Sequence, residues 1–553
     1  MILACDFENT VPSDNREFNT RVWGAGFAPI GSDRPTLCNS MDEFFNSIQF
    51  YKNPILYTHN LTYDGKLILD WLYRQGFKLS SDKRLKTGYM SHLITDNGQF
   101  YYIKVKYNKT LITFRDSCKI LPMSLDRLAK DLDIERKLYG DIDYTKERGE
   151  DYKMDDNDKR YLSRDIVILS KALFKVQQHG FLDYLTIGKR CISEYMDMYE
   201  KYVPVWFPRL TEELDSFIRE SYKGGWVYCN PEIQGKLLSD VHSYDVNSLY
   251  PFEMKTQYFP YGEPIARIQS FEDLQTYQDK AYFVKCEITC KIKDKHLPWL
   301  QIKHDIYDAS ERITEISEPQ IVTFTKMDIE LLFEHYDVSS FTVLDGYVFN
   351  QRKGMFNKYI DKYFNMKVQN NHNPTFRLIA KLMLNNLGGQ FGTNPSGKLK
   401  QSSYTDKLQF EYIDSSKNSL YVPVASYMTS YARCYTIRYA QQNYDVFCYS
   451  DTDSIKTLGA VDNLPEHDVN LGAFKLEYVA DYAKFIKAKS YLVHTDKGYD
   501  VTLAGASKPV QDNIINHPSP FKYFTVGQTV PGDLVPIVVP GGVALYPTQY
   551  TLN

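Results

Sequence analysis

Two aspartates inside an apolar run near the C-terminal end restrict the fold of this chain more than any other feature. The run reads Phe-Cys-Tyr-Ser-Asp-Thr-Asp-Ser-Ile over residues 447–455, so Asp451 and Asp453 stand two positions apart. Side chains alternate along a β-strand, and an extended run would therefore put both carboxylates on one face. Two carboxylates held together repel each other at neutral pH, and a divalent cation such as Mg²⁺ removes that repulsion. The alternative is a surface loop in which water solvates both acids.

A third acid accompanies this pair. The segment Tyr-Asp-Val-Asn-Ser-Leu-Tyr-Pro, residues 244–251, predicts a strand that ends in an acid, a polar turn and a proline stop. Asp245 is therefore the natural third ligand for a cation held by Asp451 and Asp453.

A cationic helix lies between these two segments in the sequence. Residues 358–391 have a helical pattern with a break near the middle. Lys381 and Asn385 lie four positions apart and share one face, with Arg377 a turn earlier. Several cations along one helix face suit a triphosphate, because they share its charge. A solvated basic face is the alternative.

A second group of acids lies in the N-terminal part. A predicted strand ends in Asp6 and Glu8, which share a face, and a second strand with a polar turn predicts Asp64 at a strand end. Tyr161 and Asp165 lie four positions apart on one face of a predicted helix. Together these residues predict an α/β domain with a two-metal site for nuclease chemistry. For each motif alone, a surface acid or a helix cap is the alternative.

Bulk properties limit the classes of protein. The 553 residues suffice for several domains, and 43% hydrophobic with 24% charged residues is typical of a soluble globular protein. The net charge of -4 means that a nucleic-acid surface would have to come from local basic runs, such as 83–86, 398–400 and 484–489. The nine cysteines include no Cys-x-x-Cys pair, and no signal peptide or membrane span is recognisable. We expect an intracellular protein.

Three further segments carry weaker signals. The glycine pair at 224–225 allows either a close approach to a phosphate backbone or a simple turn. Residues 257–354 are mixed and strand-like, and 393–421 have the pattern of an inserted hairpin. In a strand-like run after residue 484, Lys489 and Tyr491 would share a face and hold a primer phosphate.

The motifs occur in a recognisable order. Asp-x-x-Ser-Leu-Tyr-Pro stands at 245–251, Lys-Leu-Met-Leu-Asn-Asn at 381–386 and Tyr-Ser-Asp-Thr-Asp-Ser-Ile at 449–455, with Val-Pro-Gly-Gly-Val at 539–543. Over nearly its whole length the chain resembles the protein-primed family B DNA polymerases of bacteriophages. The resemblance implies an α/β and α+β multidomain fold. An RNase H-like 3′–5′ exonuclease domain would precede a right-hand polymerase with palm, fingers, thumb and two insertions.

The resemblance also implies a domain division. The expected parts are the exonuclease domain (1–185), a first palm segment (186–256), an insertion that contacts primer protein and DNA (257–354), the fingers (355–392), a second insertion for processivity and strand displacement (393–421), a second palm segment (422–508) and the thumb (509–553).

Residue roles in the polymerase follow from the matching motifs. The implied catalytic residues are Asp245, Asp451 and Asp453, with Asp245, Val246 and Asp453 as metal ligands. The implied nucleotide-binding residues are Val246, Leu249, Tyr250, Lys367, Lys381 and Asn385. Tyr250 would lie under the sugar of the incoming nucleotide and exclude a 2′-hydroxyl.

Roles in the exonuclease and along the DNA follow in the same way. The implied exonuclease residues are Asp6, Glu8, Asp64, Asp165 and Tyr161, the four acids being metal ligands and the tyrosine orienting water. The implied DNA contacts are His59, Asn60, Tyr63, Ser117, Tyr222, Gly224, Gly225, Thr429, Arg433, Lys489 and Tyr491.

The chain departs from the family pattern at three places. Asn-Leu-Gly-Gly at 386–389 replaces Ser-Leu-Tyr-Gly and removes an aromatic ring. Tyr139 stands where the family has an exonuclease lysine, and Lys137 lies two residues away. Asn9 replaces a common threonine.

The resemblance further implies cofactors and partners. These are two Mg²⁺ ions per active site, with Mn²⁺ as a possible substitute, a DNA template-primer, deoxynucleoside triphosphates, a terminal protein whose hydroxyl primes synthesis, and a viral single-stranded DNA-binding protein. A monomer in the host cytoplasm, without membrane contact, is expected. Two other hypotheses stay open, namely an exonuclease with a degenerate polymerase half and a non-catalytic DNA-binding replication factor.

Overall fold

The structure is a computed structural model. It describes residues 1–10, 20–138, 148–149, 151–302, 312–370, 372–416, 420–540 and 542–552, so Tyr139 lies outside the described residues. Within these ranges the strands form one eight-stranded, one seven-stranded and one four-stranded sheet and two hairpins. No helix in the same ranges combines the length and the apolarity that crossing a membrane requires.

The first domain is built on the eight-stranded sheet. Its strands are β1 (Ile2–Asn9), β2 (Val22–Pro29), β3 (Thr36–Cys38), β4 (Ile55–Thr58), β5 (Lys78–Leu79), β6 (Tyr89–Ile94), β7 (Phe100–Tyr107) and β8 (Thr110–Asp116). Its helices are α1 (Met41–Ile48), α2 (Leu61–Arg74), α3 (Leu125–Asp131) and α4 (Asp156–Gln177). The strand order is β3-β2-β1-β4-β8-β7-β6-β5, and β4 is parallel to both β1 and β8. Glycines on β2 let α4 lie close, since a Cβ on Gly26 would come 2.7 Å from the Ile166 side chain.

The next part of the chain begins with helices and continues into long strands. In order it contains α5 (Ile187–Met198), α6 (Val203–Trp206), α7 (Glu212–Arg219), β9 (Val227–Cys229), β10 (Leu237–Val246), α8 (Leu249–Thr256) and β11 (Tyr258–Arg267). It goes on with α9 (Phe271–Thr276), β12 (Ala281–Ile292), β13 (Glu315–Thr325), α10 (Lys326–His335) and β14 (Tyr336–Lys353). Strands β11 to β14 form the four-stranded sheet in the order β11-β14-β12-β13.

The last part adds two long helices and the remaining strands. These are α11 (Asn357–Gln369), α12 (Pro374–Phe391), β15 (Ser396–Tyr404), β16 (Leu408–Ser416), α13 (Val422–Gln442), β17 (Phe447–Asp451), β18 (Ser454–Leu458) and β19 (Phe474–Lys487). They are followed by β20 (Ser490–Thr495), β21 (Gly498–Leu503), α14 (Lys508–Ile515), α15 (Pro520–Tyr523), β22 (Thr529–Val539) and β23 (Gly542–Thr551). Hairpin β15–β16 and the terminal hairpin β22–β23 both contact α2 of the first domain.

The seven-stranded sheet joins segments that are far apart in sequence. Its order is β21-β20-β19-β10-β18-β17-β9, so β10 and β18 are neighbours. Helix α13 is buried along most of its length and packs against α8, α10 and α12. This arrangement brings the end of β10 beside the β17–β18 hairpin, where the sequence predicts the acids to meet.

Three local predictions are wrong. Asp451 ends β17, but Asp453 lies in the two-residue turn before β18, so the two acids do not share a strand face. Asp64 does not end a strand, because it lies in the first turn of α2. Lys489 lies in the turn between β19 and β20, with a φ of 55°, and not on a strand beside Tyr491.

Candidate active sites

The β17–β18 turn and the end of β10 form the first candidate site. Asp245 pairs with Ser454 across the sheet, and the backbone N–H of Val246 donates to the carbonyl oxygen of Asp453 at 2.8 Å. Thr452 has a φ of 58°, which lets the chain reverse within two residues. Backbone pairing, and not strand alternation, therefore places Asp453 beside Asp245.

Burial and the charges of neighbouring acids raise the pKa values of Asp245 and Asp453. Burial, followed by the charge of Asp453, raises the pKa of Asp245 to about 7. Burial also raises the pKa of Asp453 to about 6, and the charge of Asp451 adds to this shift. Without a nearby cation both groups would hold protons more readily than an ordinary aspartate.

Asp451 has an ion-pair partner, Lys489. Lys489 Nζ lies 2.9 Å and 2.8 Å from the two carboxylate oxygens of Asp451. The hydroxyl of Thr452 also donates to this carboxylate, at 3.1 Å. The structure thus joins Lys489 to the acids. Tyr491 packs instead against the rings of Tyr449 and Phe485.

A second lysine near this site was missed by sequence analysis. Lys456 on β18 is 2% exposed, and its Nζ donates to Ser243 Oγ at 3.0 Å. The same Nζ lies 5.8, 5.5 and 5.3 Å from the ring centroids of Tyr449, Tyr478 and Tyr491. A buried cation beneath the acids partly offsets their mutual repulsion, and it lowers the pKa of Asp245. The local sequence, Ser-Ile-Lys-Thr-Leu over β18, gives no signal for this role.

Helix α8 places Tyr250 next to the acids. Val246 and Leu249 are buried on either side of the turn that starts the helix, and Tyr250 is partly buried. Burial is the main cause that raises the pKa of the Tyr250 hydroxyl to about 12, and the charge of Asp453 adds to it. The ring therefore lies at the mouth of the acidic site.

Helices α11 and α12 carry the predicted nucleotide-binding cations. Lys367 Nζ donates to Ser248 Oγ at 3.3 Å, and burial, followed by Arg377 and Lys381, lowers its pKa. Lys381 and Asn385 are exposed and line a cavity of about 770 Å³ that also contacts residues 122–131. The cations thus gather near the start of α8, on the Asp245 side of the molecule.

The position that lacks an aromatic ring is filled from other helices. A Cβ on Gly388 of α12 would lie 2.4 Å from Met428 Sδ and 3.7 Å from Met254 Sδ. The two thioethers occupy the space that a side chain at residue 388 would enter. A ring there would need Met428 to move.

The second candidate site is a cavity of about 640 Å³ in the first domain. It is lined by Asp6, Glu8, His59, Asn60, Tyr63, Asp64, Lys137, Tyr161 and Asp165, among others. Strand β1 supplies Asp6 and Glu8, α2 supplies Asp64, and α4 supplies Tyr161 and Asp165. All five residues predicted for nuclease chemistry therefore meet in one place.

Crowding changes the acidity of this site. Burial, followed by the charge of Asp165, raises the pKa of Asp6 to about 7. Burial and the neighbouring acids raise the pKa values of Glu8 and Asp64 well above their ordinary range. The cluster is costly to ionise without cations.

Lys137 provides one such cation. Its Nζ lies 2.6 Å from Asp165 Oδ2 and 5.2 Å from the centroid of the Tyr161 ring. Burial alone would lower the pKa of Lys137, but the Asp165 carboxylate holds it above its ordinary value. Lys137 is thus a lysine of the acidic cavity, two residues before Tyr139.

The residues predicted to contact single-stranded DNA in this domain differ in their surroundings. Asn60 is exposed, and Tyr63 donates from its hydroxyl to Asn9 Oδ1. Ser117 is fully buried behind His59, whose Nδ1 lies 2.8 Å from Ser117 Oγ. Ser117 thus positions His59, and its contact with DNA stays a prediction.

The two DNA-contact residues predicted on α13 are also buried. Thr429 and Arg433 are 5% and 4% exposed, and Thr429 donates to carbonyls of its own helix. Arg433 donates to the carbonyl oxygens of Lys223 and Gly224, both at 2.9 Å, and pairs with Asp328 at 2.7 Å. Arg433 thus fixes the loop that holds Tyr222 and the two glycines. The contacts of Thr429 and Arg433 with DNA stay predictions.

The glycines of that loop have different surroundings. A Cβ on Gly225 would lie 2.6 Å from the Thr452 side chain, whereas no atom of the described residues lies within 4 Å of one on Gly224. The backbone N–H of Thr452 also donates to the Trp226 carbonyl at 2.7 Å. Gly225 therefore makes room for the acid-bearing turn.

The donor atoms at both sites suit a hard cation. All predicted ligands offer oxygen, and buried Asp165 Oδ1 has no hydrogen-bond partner among the described residues. No group of three or more His, Cys, Asp or Glu side chains in the described ranges forms a ready-made metal cage. Mg²⁺ is typically coordinated by one or two carboxylates, with water and substrate phosphates as the remaining ligands. A pair such as Asp245 and Asp453 fits this coordination.

Comparison with known proteins decides the family. The model for DNA polymerase type B, organellar and viral, matches residues 47–137 and 132–463. The DNA polymerase of Bacillus phage Nf is 31% identical over 100% of this chain and 99% of its own length. The chain belongs to the protein-primed family B DNA polymerases.

Solved structures of the family agree over the full length. Phi29 DNA polymerase in complex with primer-template DNA has a TM-score of 0.90, with 29% identity over 100% of both chains. The phi29 ternary complex with primer-template DNA and incoming nucleotides has a TM-score of 0.87 at 29% identity. The expected fold of an exonuclease followed by a polymerase is confirmed, and a family B polymerase implies the use of divalent metal.

Proposed function

We propose that this polymerase replicates a linear viral genome from a terminal-protein primer, removes mispaired 3′ ends and displaces the strand ahead of it. Nucleotide addition takes place at Asp245 and Asp453, and 3′–5′ hydrolysis takes place in the cavity around Asp6. The convergence of Asp245, Asp453 and Tyr250 with the cations of α11 and α12 carries the proposal. The domain division predicted from the sequence is part of this proposal.

The residues of the polymerase site would have different roles. Asp245 and Asp453, with the carbonyl oxygen of Val246, would hold Mg²⁺, with Mn²⁺ as a substitute. Bound Mg²⁺ neutralises charge on the triphosphate and lowers the pKa of the primer hydroxyl. Lys367, Lys381 and Asn385 bind the phosphates and orient the nucleotide, and Asp451 with Lys489 fixes the turn.

The residues of the exonuclease site would bind metal, water and the 3′ strand. Asp6, Glu8, Asp64 and Asp165 would hold two ions that activate water and stabilise the leaving oxygen. Tyr161 orients the attacking water, and Lys137 keeps Asp165 in place. His59, Asn60 and Tyr63 border the same cavity and bind the frayed 3′ strand.

Tyr250 is expected to control sugar selection. In Tyr250→Val the loss of the ring removes the wall against a 2′-hydroxyl, and incorporation of ribonucleotides relative to deoxynucleotides should rise about 100-fold, or about 2.7 kcal/mol. Single-nucleotide insertion with ATP and dATP, which differ only in the 2′-hydroxyl, measures this ratio. Tyr261→Val serves as a control for loss of a ring elsewhere, and an unchanged ratio in Tyr250→Val would reject the steric role.

Mg²⁺ is expected to stabilise the folded protein in a pH-dependent way. The pKa values of about 7 and about 6 at Asp245 and Asp453 lie above those of an unfolded chain. Protonation of these acids therefore stabilises the metal-free fold at low pH, and this stabilisation is lost as the pH rises towards 7. At pH 8 both acids are ionised and free for a cation, whereas at pH 5.5 Mg²⁺ must displace protons. Mg²⁺ at ten times its Kd should add about 1.4 kcal/mol at pH 8 and much less at pH 5.5. Calorimetry at both pH values measures this, and an equal shift at both would contradict it.

A further inference from the structure

Two basic runs that are far apart in sequence meet at one edge of the first domain. Strand β15, which carries Lys398 and Lys400, lies along β6, with Leu399 bridged to Thr95. The Tyr73 hydroxyl donates to the Ser402 carbonyl at 2.8 Å, and the rings of Tyr73 and Tyr404 stack at 5.5 Å. The β15–β16 hairpin is therefore fixed against the domain that carries the other basic run, residues 83–86.

The junction encloses a cavity of about 620 Å³ with an excess of positive charge. Lys83, Arg84, Lys104 and Lys106 line it, and Asp82 is the only acid among its described lining residues. Three serine hydroxyls and His92 add neutral hydrogen-bonding groups. Burial and then the charge of Lys400 lower the pKa of the neighbouring Lys66, which shows that cations crowd this edge. Such a lining suits the phosphates of a nucleic-acid backbone.

This cavity is separate from both catalytic sites. In the sheet order, β6 lies four strands away from β1, which carries Asp6 and Glu8. At about 4.8 Å between strands this is about 19 Å. Asp245 lies on β10 of the seven-stranded sheet, and Asp453 lies in the turn between two strands of that sheet. Both catalytic sites would take a primer 3′ end, so DNA bound in this basic cavity would be a different segment.

We propose that the cavity binds the sugar-phosphate backbone of the DNA strand displaced ahead of the growing primer. Lys83 and Arg84, exposed in the loop between β5 and β6, contact its phosphates, and the β15–β16 hairpin forms the opposite wall. The proposal rests on the polymerase function proposed above.

The test compares two substrates that differ only in the displaced strand. One is a primed template, and the other is the same template with a downstream strand that carries an unpaired arm. In Lys83→Ser/Arg84→Ser, binding to the arm-bearing substrate should weaken towards that of the open template, and its salt slope should fall by about 1.4. Strand-displacement synthesis should slow at least fivefold, while copying of the open template stays at the wild-type rate.

The controls separate this proposal from the others. Lys201→Ser/Lys236→Ser removes the same charge at two exposed positions and should keep the preference for the arm. Normal degradation of a single-stranded primer shows that the test variant is folded. Equal losses on both substrates, or an unchanged preference for the arm, would overturn the proposal. Failure of the wild type to copy even the open template would instead overturn the polymerase function.

Discussion

Asp245→Asn is expected to stop DNA synthesis while leaving 3′–5′ degradation intact. The amide keeps the shape of the side chain but removes the charge that would hold a cation opposite Asp453. Loss of a metal ligand should lower the rate of nucleotide addition at least 10³-fold, or about 4 kcal/mol. Primer extension on a matched template measures this loss, and release of nucleotides from a single-stranded primer measures the second activity.

Two further variants sharpen this expectation. Asp240→Asn removes an exposed acid from the same strand and should extend primers normally. Asp451→Asn should have a smaller effect than Asp245→Asn, because Lys489 already neutralises Asp451 in the folded protein. Synthesis that survives in Asp245→Asn, or a larger defect in Asp451→Asn, would contradict the division of roles among the three acids.

Asp6→Ala with Asp64→Ala is expected to give the opposite separation. The double variant loses two of the four acids in the exonuclease cavity, and degradation of a single-stranded primer should fall at least 10³-fold. Extension of matched primers should be unchanged, because the polymerase acids lie on β10 and in the β17–β18 turn of another sheet. Asp96→Ala, an exposed acid of the same domain, is the matched control and should retain both activities.

The same double variant carries a second readout. Burial and mutual repulsion raise the pKa values of Asp6 and Asp64, so their removal relieves an electrostatic cost in the metal-free protein. The metal-free double variant should therefore unfold at a higher temperature than the wild type at pH 8. A lower unfolding temperature would show that the acids stabilise the fold, and would contradict a site built to hold cations.

Sequence analysis predicted that the acids of each site lie together, but not the geometry that joins them. Strand alternation correctly placed Asp6 and Glu8 in one cavity, because β1 pairs regularly with β2 as far as Glu8. The same rule failed for Asp453, because a two-residue turn begins directly after Asp451. Turn positions depend on cross-strand register, which a single strand pattern does not contain.

Positively charged partners were harder to predict than the acids. Lys489 and Lys456 reach the acidic site only through the pairing of β19 with β20 and of β10 with β18. Lys137 reaches Asp165 across the fold, and Arg433 turns inward to Asp328. None of these contacts has a local sequence signal, because each joins segments that are distant in the chain. The family resemblance, in contrast, correctly predicted the order of exonuclease and polymerase because its motifs are short and ordered.

The most direct test is extension of a labelled primer with a mismatched 3′ end in the presence of Mg²⁺ and four deoxynucleotides. The wild type should first shorten the primer and then extend it to full length. Asp245→Asn should only shorten it, and Asp6→Ala with Asp64→Ala should extend a matched primer but leave the mismatched one untrimmed. Two separate sites predict this pattern, whereas loss of shortening and extension together in either variant would contradict it.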